Sequence, residues 1–226
     1  MIEKNVAEIR KNIASAAMKS GRYPEDIKLI GVTKTIEISK INELLVAGVK
    51  DIGENRVQEF LPKYEALNAI KPTWHFIGHL QRNKVKYIAD KVDLIHSVES
   101  LSLAQEIDKC AAKHNRVIDF LVEVNIGMEA SKFGVSPDDV LGFVEKLLRF
   151  PNIRFAGLMC IAPFVENPEE NRLLFGKMRN LRVDITRHLL YDTPPLTLSM
   201  GMTGDYVVAI EEGATMIRIG TALFRS

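Results

Sequence analysis

Cysteine is scarce: Cys110 and Cys160 are the only two in 226 residues, and they form no CxxC pair. That excludes a disulfide framework and a zinc site built on paired thiolates. Long apolar runs are missing as well; nothing approaches the roughly 20 residues needed to span a bilayer. The opening MIEKNVAEIRKNIASAAMKSGR carries charges throughout and lacks the apolar stretch of a secretory signal. There is no excess of one charge: 30 Lys+Arg face 29 Asp+Glu, a net +1. This balance argues against nucleic acid or a membrane as the partner. No Ser/Gly linker, low-complexity stretch or composition shift divides the chain. A single domain over residues 1–226, in the cytoplasm, is therefore the expectation.

What is present is a 46% hydrophobic composition, enough for a large core, arranged in a repeated alternation. Residues 2–20 read as an opening helix, with Ile2, Val6, Ile9 and Ile13 spaced by three and four. Eight β-branched, strand-like runs follow, at 27–33, 49–53, 73–78, 92–98, 117–126, 153–160, 196–200 and 214–220. Helical patterns lie between them, for example at 38–48, 101–114 and 136–150, the last with Ser136 and Pro137 placed as N-cap and first helical residue. Strand–helix alternation implies a parallel sheet buried on both faces. Eight units predict an α/β fold, a single (β/α)8 TIM-type barrel with an extra N-terminal helix. An open doubly wound sheet is the weaker reading, because LIGVTKT stands after the first strand in place of a GxGxxG turn.

Barrels of this kind carry function at the carboxyl ends of their strands. Those ends offer Lys34, Glu54-Asn55, Gly78-His79, His96-Ser97, Glu123, Asn125, Cys160, Ser199, Arg218, Gly220 and Thr221. Lys34 shares the face of Ile30 and Val32; it either snorkels into solvent or serves as an amine that captures a carbonyl. SMGMTGD at 199–205 and RIGTA at 218–222 follow the seventh and eighth strands, where such barrels commonly hold phosphate. Ser199 and Thr221 supply hydroxyls, and Gly201, Gly204 and Gly220 permit close backbone approach. Together with Lys34 on the adjoining first strand, these segments point to a phosphorylated aldehyde. Arg218, flanked by isoleucines, needs an acceptor: a carboxylate such as Glu54 or Glu123, or a ring nitrogen of a ligand. In WHFIGHLQRNKVK at 74–86 we expect a strand and a solvated basic helix start, with His75 hydrogen-bonded in the core and no metal site. Both cysteines read as packed apolar groups.

The motifs IGVTKT, IGENRVQE, WHFIGHLQRNK, HSVES, VNIGMEASKFG, GLMCIAP, LSMGMTGDY and ATMIRIGTALF resemble, from end to end, the pyridoxal phosphate homeostasis protein family. That resemblance implies one barrel like the N-terminal domain of alanine racemases, carrying pyridoxal 5′-phosphate (PLP). It implies that Lys34 holds PLP as an internal aldimine and that Ser199, Gly201, Gly220 and Thr221 belong to the phosphate side. Arg218 would face the pyridine nitrogen, and Asn55 would lie beside the ring. The family commonly has Ser where Thr203 stands and Gly after Phe224, and His79 falls at a position without a required role. The implied function is a PLP carrier or buffer in intracellular PLP homeostasis, without strong turnover. The implied partners are PLP and PLP-dependent apo-enzymes, and the expected state is a monomer. A PLP-dependent amino-acid racemase and a class I sugar aldolase are the alternatives. The racemase reading lacks a tyrosine for the second face of the carbanion, because Tyr23, Tyr64, Tyr87 and Tyr191 lie away from the mouth and Tyr206 is expected to pack.

Overall fold

In the computed structural model, which describes residues 1–129, 132–189 and 195–225, the β-branched runs form eight parallel strands. These are β1 (Lys28–Val32), β2 (Asp51–Glu54), β3 (Thr73–Phe76), β4 (Leu94–Val98), β5 (Ile118–Glu123), β6 (Ile153–Met159), β7 (Thr197–Ser199) and β8 (Met216–Ile219). They pair in sequence order, and β1 also pairs with β8, so the sheet closes. All five residues of β4 are buried, as expected where helices cover one face and the barrel interior the other.

Among the described residues, eight α-helices surround the strands: α1 (Ile2–Lys19), α2 (Ile38–Val46), α3 (Val57–Leu67), α4 (Leu101–Lys113), α5 (Val140–Leu147), α6 (Arg172–Leu189), α7 (Tyr206–Glu211) and α8 (Thr221–Phe224). α1 is the added element. Its Ile2, Val6, Ile9 and Ile13 are buried on one stripe, against α7, α2 and α8. Just beyond it, Arg22 donates to the carbonyl oxygens of Ala214 and Ile210, tying the N-terminal segment to the end of α7.

Two local expectations are refined. Ser136 and Pro137 do stand as N-cap and first residue, but of a 3-10 turn, Pro137–Asp139, that runs into α5 at Val140; the Ser136 hydroxyl makes no capping bond and points to Met128 Sδ at 3.7 Å. The basic segment after β3 forms a 3-10 helix, Arg82–Tyr87, rather than the start of an α-helix.

The register sorts the inward side chains into layers of four, drawn from alternate strands. Asp51, Leu94, Gly157 and Met216 form one layer. Ile30, His75, Leu121 and Ser199 lie above it, and Gly53, His96, Met159 and Arg218 lie above those. Such layers are ordinarily branched and apolar. Here four polar side chains occupy the two upper ones, beneath the carboxyl ends of the strands.

Candidate functional site

At that end a cavity of about 770 Å³ opens, the size of an ordinary small-molecule site. Val32 and Lys34 contribute from the first strand and its turn, Met202–Asp205 from the loop after β7, and Arg218, Gly220 and Thr221 from the eighth unit. Phe164, 94% exposed, stands on the wall supplied by the loop after β6.

Lys34 is exposed, in the turn that follows β1. Its backbone is clamped on both sides by α3. Lys63 Nζ donates to the Thr33 carbonyl at 2.7 Å and to Glu54 Oε1 at 2.7 Å, while Thr33 Oγ1 donates to the same oxygen at 2.6 Å. On the far side, the Thr35 amide donates to Glu59 Oε2 at 2.7 Å, and this bond holds the Glu59 carboxyl below its ordinary range. Thr35 has φ +61°, a conformation that costs a β-branched residue and persists because the clamp over-determines it. Glu54 is fully buried, and burial raises its pKa although Lys63 and Thr33 pull it down. The expectation that Glu54 stands in the ring at the mouth is thus corrected. It shares the outward face of β2 with Ile52 and points into the helix layer.

The loop after β7 is held by its own acid. Asp205 Oδ1 accepts from the Met202 amide at 2.7 Å, and Asp205 Oδ2 accepts from Asn171 Nδ2 at 3.0 Å. Asn171 Nδ2 also donates to the Pro163 carbonyl at 3.0 Å, so one buried side chain joins the loops after β6 and β7. Gly201 has φ +93°, and an added Cβ would lie 2.6 Å from Ala209 Cβ. The turn requires glycine there, and it aims the Gly201 carbonyl at the Arg218 amide, 3.0 Å away. The amides of Thr203, Gly204, Gly220, Thr221 and Ala222 donate to no acceptor among the described residues.

Arg218 is 4% exposed and meets neither Glu54 nor Glu123, the two carboxylate partners considered from sequence. Its Nη1 donates to Ser199 Oγ at 2.6 Å and its Nη2 to the Cys160 carbonyl at 2.8 Å. Burial lowers its pKa, with Cys160, Glu123 and Asp205 opposing. Ser199 is fully buried in the barrel interior and is not on the cavity wall. Asn55 lines a neighbouring cavity with His79 and Lys84; its Oδ1 is buried with no hydrogen-bond partner among the described residues. Glu123 is raised to about 7, first by burial and then by Glu99, against the pull of Arg218. Cys160 is buried and its thiol is pushed up to about 12, the inert packed group expected. His75 is buried with two hydrogen bonds, to Asp51 and His96. His79 pairs with Glu99 at 3.0 Å and stacks on Phe133. No cluster able to hold a metal occurs among the described residues, and no helix is long and apolar enough to cross a membrane. Tyr191 lies outside the described residues.

The Lys63–Glu59 clamp, the Asn171–Asp205 tie and the Asp51–His75 contact were not anticipated. Lys63 reads in sequence as one more polar residue of an amphipathic helix. Only the Met202–Asp205 spacing offers a local sign, because Asp commonly closes a turn on a nearby amide.

Closed parallel barrel, mouth cavity and strand-end lysine together define a barrel of the alanine racemase N-terminal type; the model for "Alanine racemase, N-terminal domain" matches residues 5–226. The chain is 48% identical over 219 residues to the pyridoxal phosphate homeostasis protein of Aquifex aeolicus, covering 97% of this chain and 95% of that one. It belongs to the pyridoxal phosphate homeostasis protein family. PipY of Synechococcus elongatus, solved with PLP bound, superposes with TM-score 0.84 at 32% identity, covering 100% of both chains. D-threonine aldolase from Filomicrobium marinum shares the fold alone: TM-score 0.72 at 16% identity, with 96% of this chain aligned to 60% of that one.

Proposed function

We propose that this protein binds PLP in the mouth cavity and serves intracellular PLP homeostasis as a carrier. The observation that carries the reading is one cavity walled by an exposed primary amine, Lys34, and by backbone amides at 203–204 and 220–221 that have no acceptor. These are the two chemistries that PLP requires: an amine for its aldehyde and N–H donors for its phosphate. When bound, the ligand supplies an aldehyde carbon open to attack by an amine.

Within the cavity, Lys34 offers the nucleophile, and the Lys63–Glu59 clamp sets the direction from which it enters. The Thr203, Gly204, Gly220 and Thr221 amides, with the Thr221 hydroxyl, would hold the phosphate, and Gly201 shapes the loop that presents them. Arg218 is anchored by one N–H of Nη1 and one of Nη2, and its remaining N–H donors would be available to a ring nitrogen. The guanidinium does not give up its proton, so it would hold a ring nitrogen facing it as an unprotonated acceptor. Asn55, on the neighbouring cavity, would approach the ring from that side. The Ser199 hydroxyl is engaged by Arg218 and His96, so its part is to hold the arginine.

A carrier is favoured over a racemase because, among the described residues, no tyrosine stands on the cavity wall to serve as a second acid–base group. The Tyr206 hydroxyl accepts from Asn12 Nδ2 at 3.0 Å beneath α1. PLP-dependent apo-enzymes would be the recipients, and the protein would act in the cytoplasm as a single-domain monomer. Reduction with borohydride followed by peptide mass spectrometry tests the reading: the PLP adduct should sit on Lys34. An adduct spread over surface lysines would overturn it. Alpha-proton exchange with inversion on L-alanine in deuterium oxide at about 1 s⁻¹ or faster would restore the racemase alternative.

A further inference from the structure

A continuous chain of hydrogen bonds crosses the barrel interior and ends on the cavity wall. Asp51 Oδ1 lies 3.0 Å from His75 Nε2, and His75 Nδ1 lies 2.9 Å from His96 Nε2. His96 Nδ1 lies 2.9 Å from Ser199 Oγ, which accepts from Arg218 Nη1 at 2.6 Å. His75, His96 and Ser199 are each at most 1% exposed, so none of them can complete its bonding with water. At the far end, Lys28 Nζ sits 3.1 Å from Asp51, whose side chain keeps 19% exposure.

The two ends dictate the direction of every proton. Arg218 can only donate, so Ser199 accepts from it; His96 Nδ1 is the one acceptor in reach of the Ser199 hydroxyl among the described residues, so its proton goes there. His96 then carries its proton on Nε2 and gives it to His75 Nδ1. His75 in turn carries its proton on Nε2 and gives it to Asp51. Asp51 is a carboxylate, since His75 and Lys28 outweigh the effect of burial and hold it below its ordinary value. Burial is the main cause that keeps His96 neutral. A chain polarised from guanidinium to carboxylate strengthens each of its links.

We propose that Asp51, His75, His96 and Ser199 are positioning residues for Arg218. Their fixed proton order makes Ser199 Oγ an acceptor for Nη1, and with the Cys160 carbonyl on Nη2 this sets the guanidinium plane against the ligand ring. The inference rests on the reading that the cavity binds PLP with Arg218 toward its ring. It also removes Ser199 from the phosphate contacts, because its only proton is committed to His96.

The test uses the full chain with nitrogen-15-labelled histidine, together with Ser199→Ala, Ser199→Thr, Asp51→Asn and Arg218→Ala variants. In the unmodified protein, His75 and His96 should both appear as neutral Nε2–H tautomers. Asp51→Asn removes the charge that orders the chain without approaching the ligand, so it should mix the tautomers of both rings. PLP affinity should fall about three- to tenfold in Ser199→Ala and about threefold in Asp51→Asn, the scale of one weakened hydrogen bond. The absorption maximum of bound PLP should shift in both, Ser199→Thr should restore it, and the phosphorus-31 line of the bound phosphate should stay in place. A wild-type His96 protonated on Nδ1 overturns the inference, as does a phosphorus line moved by Ser199→Ala. If Arg218→Ala weakens binding while Asp51→Asn and Ser199→Ala do not, the positioning chain is refuted and the binding reading stands. If Arg218→Ala leaves affinity and spectrum unchanged, the placement of Arg218 against PLP fails.

Discussion

Replacing Lys63 with Met tests how the turn carrying Lys34 is held. The change keeps an unbranched apolar stem but removes the ammonium that faces Glu54 Oε1 and the Thr33 carbonyl, both at 2.7 Å. Glu54 is fully buried and its Oε2 already lacks a partner, so the carboxylate cannot turn to water. Removing one member of a buried pair typically costs about 3–5 kcal/mol. A ceiling comes from protonation: neutralising a carboxyl of ordinary pKa 4.5 at pH 7 costs about 3.4 kcal/mol, at 1.36 kcal/mol per pH unit. Stability at pH 7 should therefore drop by about 3 kcal/mol, and the loss should shrink as the pH falls toward 5. The assay is urea unfolding followed by the fluorescence of Trp74, the single tryptophan, which is 2% exposed. Adding Glu54→Gln to Lys63→Met removes the stranded charge and should recover most of the loss. A drop below about 1 kcal/mol in the single variant, or no recovery in the double, would refute the reasoning. PLP capture by Lys34 should weaken in the single variant as well, because the Thr33 carbonyl loses its anchor.

Glu123→Gln should stabilise the protein at pH 8. A carboxyl raised from 4.5 to about 7 on folding penalises the folded state as the pH rises through that interval. The gain should reach up to about 3 kcal/mol above pH 7 and vanish below about pH 4.5; a gain constant with pH across thermal melts would contradict this. Gly201→Ala should cost about 2–4 kcal/mol, from the strained backbone at φ +93° and the 2.6 Å approach to Ala209. A melting temperature equal to that of the parent would count against it. Lys34→Ala should still retain PLP through the amide-lined loops, more weakly, while losing the borohydride-stable adduct; equilibrium dialysis and mass spectrometry read the two effects separately.

The fold was legible in the sequence because its signals are local. Each strand announces itself by a short β-branched run and each helix by three-and-four spacing, and a sheet covered on both faces needs no finer alternation. Eight such units, with Lys34 after the first and Gly201, Gly220 and Thr221 after the last two, sufficed to anticipate the barrel and the wall that joins amine to amides. The same local view misplaced Glu54 at the mouth, because a residue at a strand end can face either layer and only pairing decides which. It also offered Arg218 two carboxylates, Glu54 and Glu123, that it does not meet. Charge alone suggests a carboxylate, yet the pairing of β7 with β6 and β8 brings Ser199 and the Cys160 carbonyl to the guanidinium. His96 and Ser199 are 103 residues apart in the chain and 2.9 Å apart in space. No spacing rule reaches across that interval. Contacts of this kind exist only once the register of all eight strands has stacked their inward side chains into layers.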